Sequence, residues 1–64
     1  MTLGTLPFGA TIIFNDQANT DLRLTIVGHE HDQFGHWVEV LTENGSIEPM
    51  KAHTKIDGTR YAMA

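Results

Sequence analysis

The chain has 64 residues, with 4 Lys and Arg against 8 Asp and Glu, 4 His, no Cys and a formal charge of -4. A chain of roughly 60 residues buries only about 60% of its unfolded surface, so one small domain with a thin core is expected over 1–64, and a deep enzyme pocket is not. Absent cysteine excludes disulfide staples and thiolate metal clusters, leaving imidazole or carboxylate metal sites and self-association as the usual supports of so small a fold.

The charge balance narrows the partners. Only Arg23, Lys51, Lys55 and Arg60 are basic, and the acids are dispersed rather than in a run, which is the wrong sign for affinity built on neutralising phosphates. A protein partner is expected before a nucleic acid. Met1 to Ala10 holds no Lys or Arg, and the longest apolar run nearby is Ile12-Ile13-Phe14, so neither a signal peptide nor a membrane span is read and a cytoplasmic location is expected.

Period-two alternation recurs along the chain and three-turn helical spacing does not, which predicts strands. Ala10 to Phe14, introduced by Pro7 and Gly9 and closed by Asn15-Asp16, is the first, followed by a polar loop through Thr20. In Leu22-Arg23-Leu24-Thr25-Ile26 the three aliphatics share one face of a half-buried second strand. Gly28 to Gly35 reads as a second long connection, unless His29 and His31 extend the strand before it. His36 to Thr42 is β-branched and aromatic and runs into Asn44-Gly45, the signal of a type I′ hairpin turn. Ile47 to Ala52 is the return strand, with Pro49 restricted to an edge or bulge. His53-Thr54-Lys55 is the place for at most one short helical or 3₁₀ turn, and Asp57-Gly58 turns the chain into Thr59-Arg60-Tyr61, a fifth strand.

Five short strands must curl to bury one face without leaving long open edges. The pattern resembles the SH3-like small β-barrels, carried by Leu6 to Phe14 as first strand, Asn15 to Thr20 as first long loop, the Leu22 to Val27 strand, the Trp37 to Ala52 hairpin and the Thr54-Lys55-Ile56 turn. It also resembles the short accessory proteins of this type that phages and other mobile elements encode. That resemblance implies a non-catalytic modulator or inhibitor of a host protein or defence complex, in the host cytoplasm. The acidic, aromatic-rich peptide groove of signalling SH3 domains has no equivalent run here.

The most unusual local feature is His29-Glu30-His31-Asp32 with His36 close behind. Histidines two apart project from one side of a strand, and imidazole suits zinc, nickel or copper, so His29, His31 and His36 are the candidate metal ligands. The same residues also serve simply to solvate a polar loop. Apart from that divalent metal, no cofactor is expected. His53 is distant in sequence and joins such a site only if the fold brings it near.

Phe34, Trp37 and Tyr61 are the aromatic candidates for partner contact, with Arg23 beside them. Core packing is expected for Phe14 ahead of Trp37, which leaves Phe34 as the preferred exposed contact. Catalytic constellations are missing from the inventory: there is no Cys, Ser46 sits in a turn, and no phosphate loop of the required spacing occurs, so no enzyme is read. The leading expectation is a self-associating binding module acting through a barrel edge or the loops at Asn15–Thr20 and His29–Gly35. The rival is a small-ligand or metal protein whose site is completed at a homo-oligomer interface, with Arg23, Lys51 and Arg60 as anion contacts. A barrel that binds nucleic acid by aromatic stacking ranks third.

Overall fold

The computed structural model describes residues 1–15 and 21–64. It contains a 3₁₀ turn, Leu3–Thr5, and five strands: β1 (Thr11–Asn15), β2 (Asp21–Asp32), β3 (Gly35–Leu41), β4 (Ile47–Lys51) and β5 (Tyr61–Met63). All four neighbouring pairs are antiparallel, in the order β4-β3-β2-β1-β5. The all-β expectation therefore holds, as a five-stranded sheet with two free edges, β4 and β5. Pro49 lies on edge strand β4 opposite Glu39, where its missing N–H costs no ladder bond on the solvent side. No helix among the described residues is long and apolar enough to cross a membrane.

The 12-residue β2 organises the sheet by serving both sides. Asp21 to Thr25 pair with β1, Thr25 to Asp32 pair with β3, and the register shifts between Ile26 and Gly28. An extra residue on one strand of a pair bends it and increases its twist. Val27 is that residue, so the inward set runs Leu22, Leu24, Ile26 and then His29, His31 rather than continuing through even numbers. Gly28 to Gly35 is consequently not a long connection. Gly28 to Asp32 belong to β2, and only Gln33-Phe34 turn the chain, with the Phe34 N–H donating to Asp32 Oδ1 at 2.8 Å. Gly35 closes the turn at φ +126°, a conformation costly for residues with a Cβ.

The 3₁₀ turn sits at the N-terminus instead of at His53-Thr54-Lys55. There the chain makes a β-turn, in which the Thr54 N–H donates to the Lys51 carbonyl at 3.0 Å. Leu3 and Leu6, three apart, both point inward from the N-terminal turn and are buried. This segment is tied down by Leu3 N–H to Thr54 O at 2.9 Å and Gly4 N–H to Ala52 O at 2.8 Å. The first strand accordingly starts at Thr11, because Pro7 to Ala10 form a turn before it. The last strand starts at Tyr61, with Thr59 held by Asp57 in the turn.

The core joins these pieces: Leu3, Leu6, Ile12, Ile26, Val38, Val40, Ala52 and Ile56 are buried together. Phe14, expected in it, is only half-buried and stacks on Tyr61 with ring centroids 5.1 Å apart. Aliphatic side chains fill a core this thin, and the aromatics are displaced to its margin.

Candidate functional site

Three surface features are built on the sheet. The first is a cleft of about 650 Å³ on the inner face, lined by Phe14, Leu22, Leu24, Val40, Met50 and Tyr61, with Arg23, Glu43 and Glu48 at its rim. Its side chains share a face because they are cross-strand partners: Phe14 lies opposite both Leu22 and Tyr61, and Val40 opposite Glu48. Directly opposed residues of antiparallel strands project to the same side. Both edge strands contribute, β4 through Glu48 and Met50 and β5 through Tyr61. The two free edges of the sheet therefore border one apolar depression.

The second feature lies on the outer face, where Trp37 is flanked by Glu30, Asp32, Glu39 and Pro49 around a shallow groove of about 240 Å³. Trp37 pairs with Glu30 and Glu39 with Pro49, which puts all four on one side. A hydrogen bond shared with Glu30 raises the Glu39 carboxyl above its ordinary value, and desolvation and the Glu30 charge push the same way.

The third is the histidine cluster, on the inner face at the end of the β2–β3 ladder. His29 lies opposite Val38 and His31 opposite His36. His29 Nε2 is 2.9 Å from the Leu6 carbonyl, and His29 Nδ1 is 2.9 Å from His36 Nε2. His31 stacks on His36 with ring centroids 4.1 Å apart. Desolvation holds the His36 imidazole below the ordinary histidine value, and the neighbouring His31 and His29 add to that. A carbonyl only accepts, so His29 Nε2 carries the proton to Leu6 and the neutral ring keeps its lone pair on Nδ1, facing His36.

The residues singled out in the sequence thus separate. Arg23 and Tyr61 both border the cleft, and Trp37 lies in the acidic groove on the opposite face. Phe34, 78% exposed, stands at the tip of the β2–β3 hairpin and lines neither depression. The i, i+2 spacing of His29 and His31 does bring them to His36. Among the described residues no three His, Asp or Glu side chains are arranged to hold one metal ion, and Glu30 and Asp32 lie on the other face. Residues 16–20 of the expected recognition loop lie outside the described residues. The contributions of Met50, Leu22 and Leu24 to a cleft were missed, although the even-numbered alternation that marks the face was visible. Compared with protein-family models, with curated proteins and with solved structures, the chain matches none.

Proposed function

We propose that this chain is a non-catalytic protein-binding module of SH3-like barrel type, with Asn44-Gly45 as the turn of its β3–β4 hairpin. Its ligand is an extended segment of a partner protein, laid in the cleft between β4 and β5. The observation that carries this reading is that both edge strands, each paired on one side of the sheet order, border the same apolar depression of about 650 Å³. An inserted strand pairs its backbone with free edge groups while its alternate side chains fill the cleft, so one geometry supplies both affinity and register. Arg23, which alternates to the other face opposite Ile13 but still borders the cleft, adds positive charge that favours a carboxylate on that segment. The resemblance to phage and mobile-element accessory proteins makes a host protein the natural partner.

The test is site-specific photocrosslinking in the native host. A crosslinker at Met50 is expected to trap one protein, and Arg23→Ala and Tyr61→Ala are expected to weaken the purified complex, the latter by about thirtyfold, the scale of an aromatic hot spot. A partner trapped from Phe34 or Trp37 but not from Met50 overturns the assignment of the surface. No adduct from any of the three positions overturns the binding-module reading itself.

A further inference from the structure

The geometry points to a transition-metal site at the end of the β2–β3 hairpin, in which Nδ1 of His29 and Nε2 of His36 take one Zn²⁺ ion between them. The inference is independent of the cleft. Its basis is that two imidazole nitrogens from different strands already face each other at 2.9 Å, where a single proton now joins them.

Three features distinguish this pair from histidines scattered over a surface. First, His29 is oriented. Its Nε2–H donates to the Leu6 carbonyl at 2.9 Å, and Leu6 is a core residue, so the ring is anchored to the rigid part of the fold. Metal-binding histidines characteristically donate their other ring N–H to a carbonyl or carboxylate, which fixes the tautomer and raises the basicity of the ligating nitrogen. Here the nitrogen left with the lone pair is the one facing His36.

Second, the movement required is local. Zinc–nitrogen bonds of about 2.0–2.1 Å at a tetrahedral angle place the two nitrogens about 3.3–3.4 Å apart, so the pair opens by about 0.4 Å while the two rings tilt, by about 35° each if they share the change, until both lone pairs converge on the ion. His36 exchanges its Nε2 proton for the ion and carries a proton on Nδ1 instead, a tautomer shift through water that leaves the ring neutral. Third, His31 is within reach. Its ring lies against His36 at 4.1 Å, so rotation about its side-chain bonds offers a third imidazole, and water completes four-coordination at this exposed end of the sheet. The nearby carboxylates Glu30 and Asp32 face the other way and take no part, which makes this a neutral-ligand site suited to a borderline ion rather than to Ca²⁺ or Mg²⁺.

The experiment is titration of the whole chain with ZnCl₂, followed by the imidazole ¹⁵N signals. The expected result is saturation at one ion per chain, with His29 Nδ1 and His36 Nε2 shifting together and the His53 ring unmoved. H29A and H36A are each expected to weaken binding by about tenfold or more, at least the loss typical of removing a partner that only supports a ligand. H53A is expected to leave it unchanged. Shifts confined to His53, absence of any ring shift, or affinity retained in both H29A and H36A each overturn the proposal. The wild-type spectra decide the matter without any variant, so a substitution that unfolds the chain does not protect it.

Discussion

Asp57 is an exposed carboxylate and Glu39 a half-buried one, and their surroundings push them in opposite directions. The Thr59 hydroxyl and backbone N–H donate to Asp57 Oδ1 at 2.5 and 3.0 Å, holding its carboxyl below the ordinary value. Glu39 is raised by the hydrogen bond it shares with Glu30. The consequences for stability have opposite signs. A depressed folded-state value means the unfolded chain binds the proton first, so the Asp57 contribution is present above its unfolded value and lost as pH falls through the folded one. A raised value means the folded chain binds the proton first, so Glu39 disfavours folding as pH rises through the carboxylate range. Asp57→Asn should therefore lower the melting temperature at pH 7 and flatten its fall on acidification. Glu39→Gln should raise the melting temperature at pH 7 and leave it unchanged at pH 3. Thermal unfolding of the two variants at both pH values checks this pair of signs. At this scale the sequence was informative where a local rule applied. Asp57-Gly58 announces a turn, and His29 and His31 at i, i+2 share a face whatever the register. It was silent where the contact was cross-strand, as for Glu30 with Glu39, because only the register brings them together.

Among elements, the N-terminal 3₁₀ turn governs how far the rest of the sheet is closed off. Gly4 lies under Ala52 and His36: a Cβ added there would meet Ala52 Cβ at 2.7 Å, the Ala52 carbonyl at 3.1 Å and His36 Cε1 at 3.1 Å. The first of these is below any real Cβ contact, and the Gly4 N–H is already bonded to the Ala52 carbonyl, so the backbone has to move. Gly4→Ala is expected to cost about 1–3 kcal/mol, the range of overpacking. In a chain this short, that lowers the melting temperature by about 4–8 °C per kcal/mol. Thermal unfolding by circular dichroism reads it, and an unchanged melting temperature would show the N-terminal turn to be loosely held. This turn was not legible in advance, since Leu3 and Leu6 are embedded in Gly, Thr and Pro and carry no periodic run. The sequence leaves the length of β2 open between a loop and an extension of the strand through His29 and His31, and the structure takes the extension. His29 to Asp32 look like loop residues by polarity, yet antiparallel sheets tolerate a solvated end, and after the register shift at Val27 the ladder continues past the core. Strand existence and order along the chain followed from alternation, β-branched content and turn signals, while strand ends did not, because they are set by which backbone groups find partners.

The molecule as a whole carries -4 at neutral pH with four histidines, and among the described residues no further strand pairs with its edge strands β4 and β5. Phe8, Phe34 and Ile47 are exposed as well. Like charge stands against association through these surfaces, since charge of one sign keeps small proteins apart in solution. Protonating all four histidines would take the formal charge from -4 to zero. His36 resists, because desolvation and its two histidine neighbours hold it down, so acidification removes much of the charge before it removes all of it. Self-repulsion scales roughly with the square of the charge and falls steeply on the way. Sedimentation velocity at low salt should therefore show a slowly sedimenting species at pH 8 and faster, reversibly formed species at pH 5.5. Raising salt at pH 8 should shift the distribution in the same direction, since screening acts on the same repulsion. Identical profiles at both pH values would mean that charge is not what keeps the exposed edges apart, and that the β4 and β5 backbones are protected by their own twist and by Pro49.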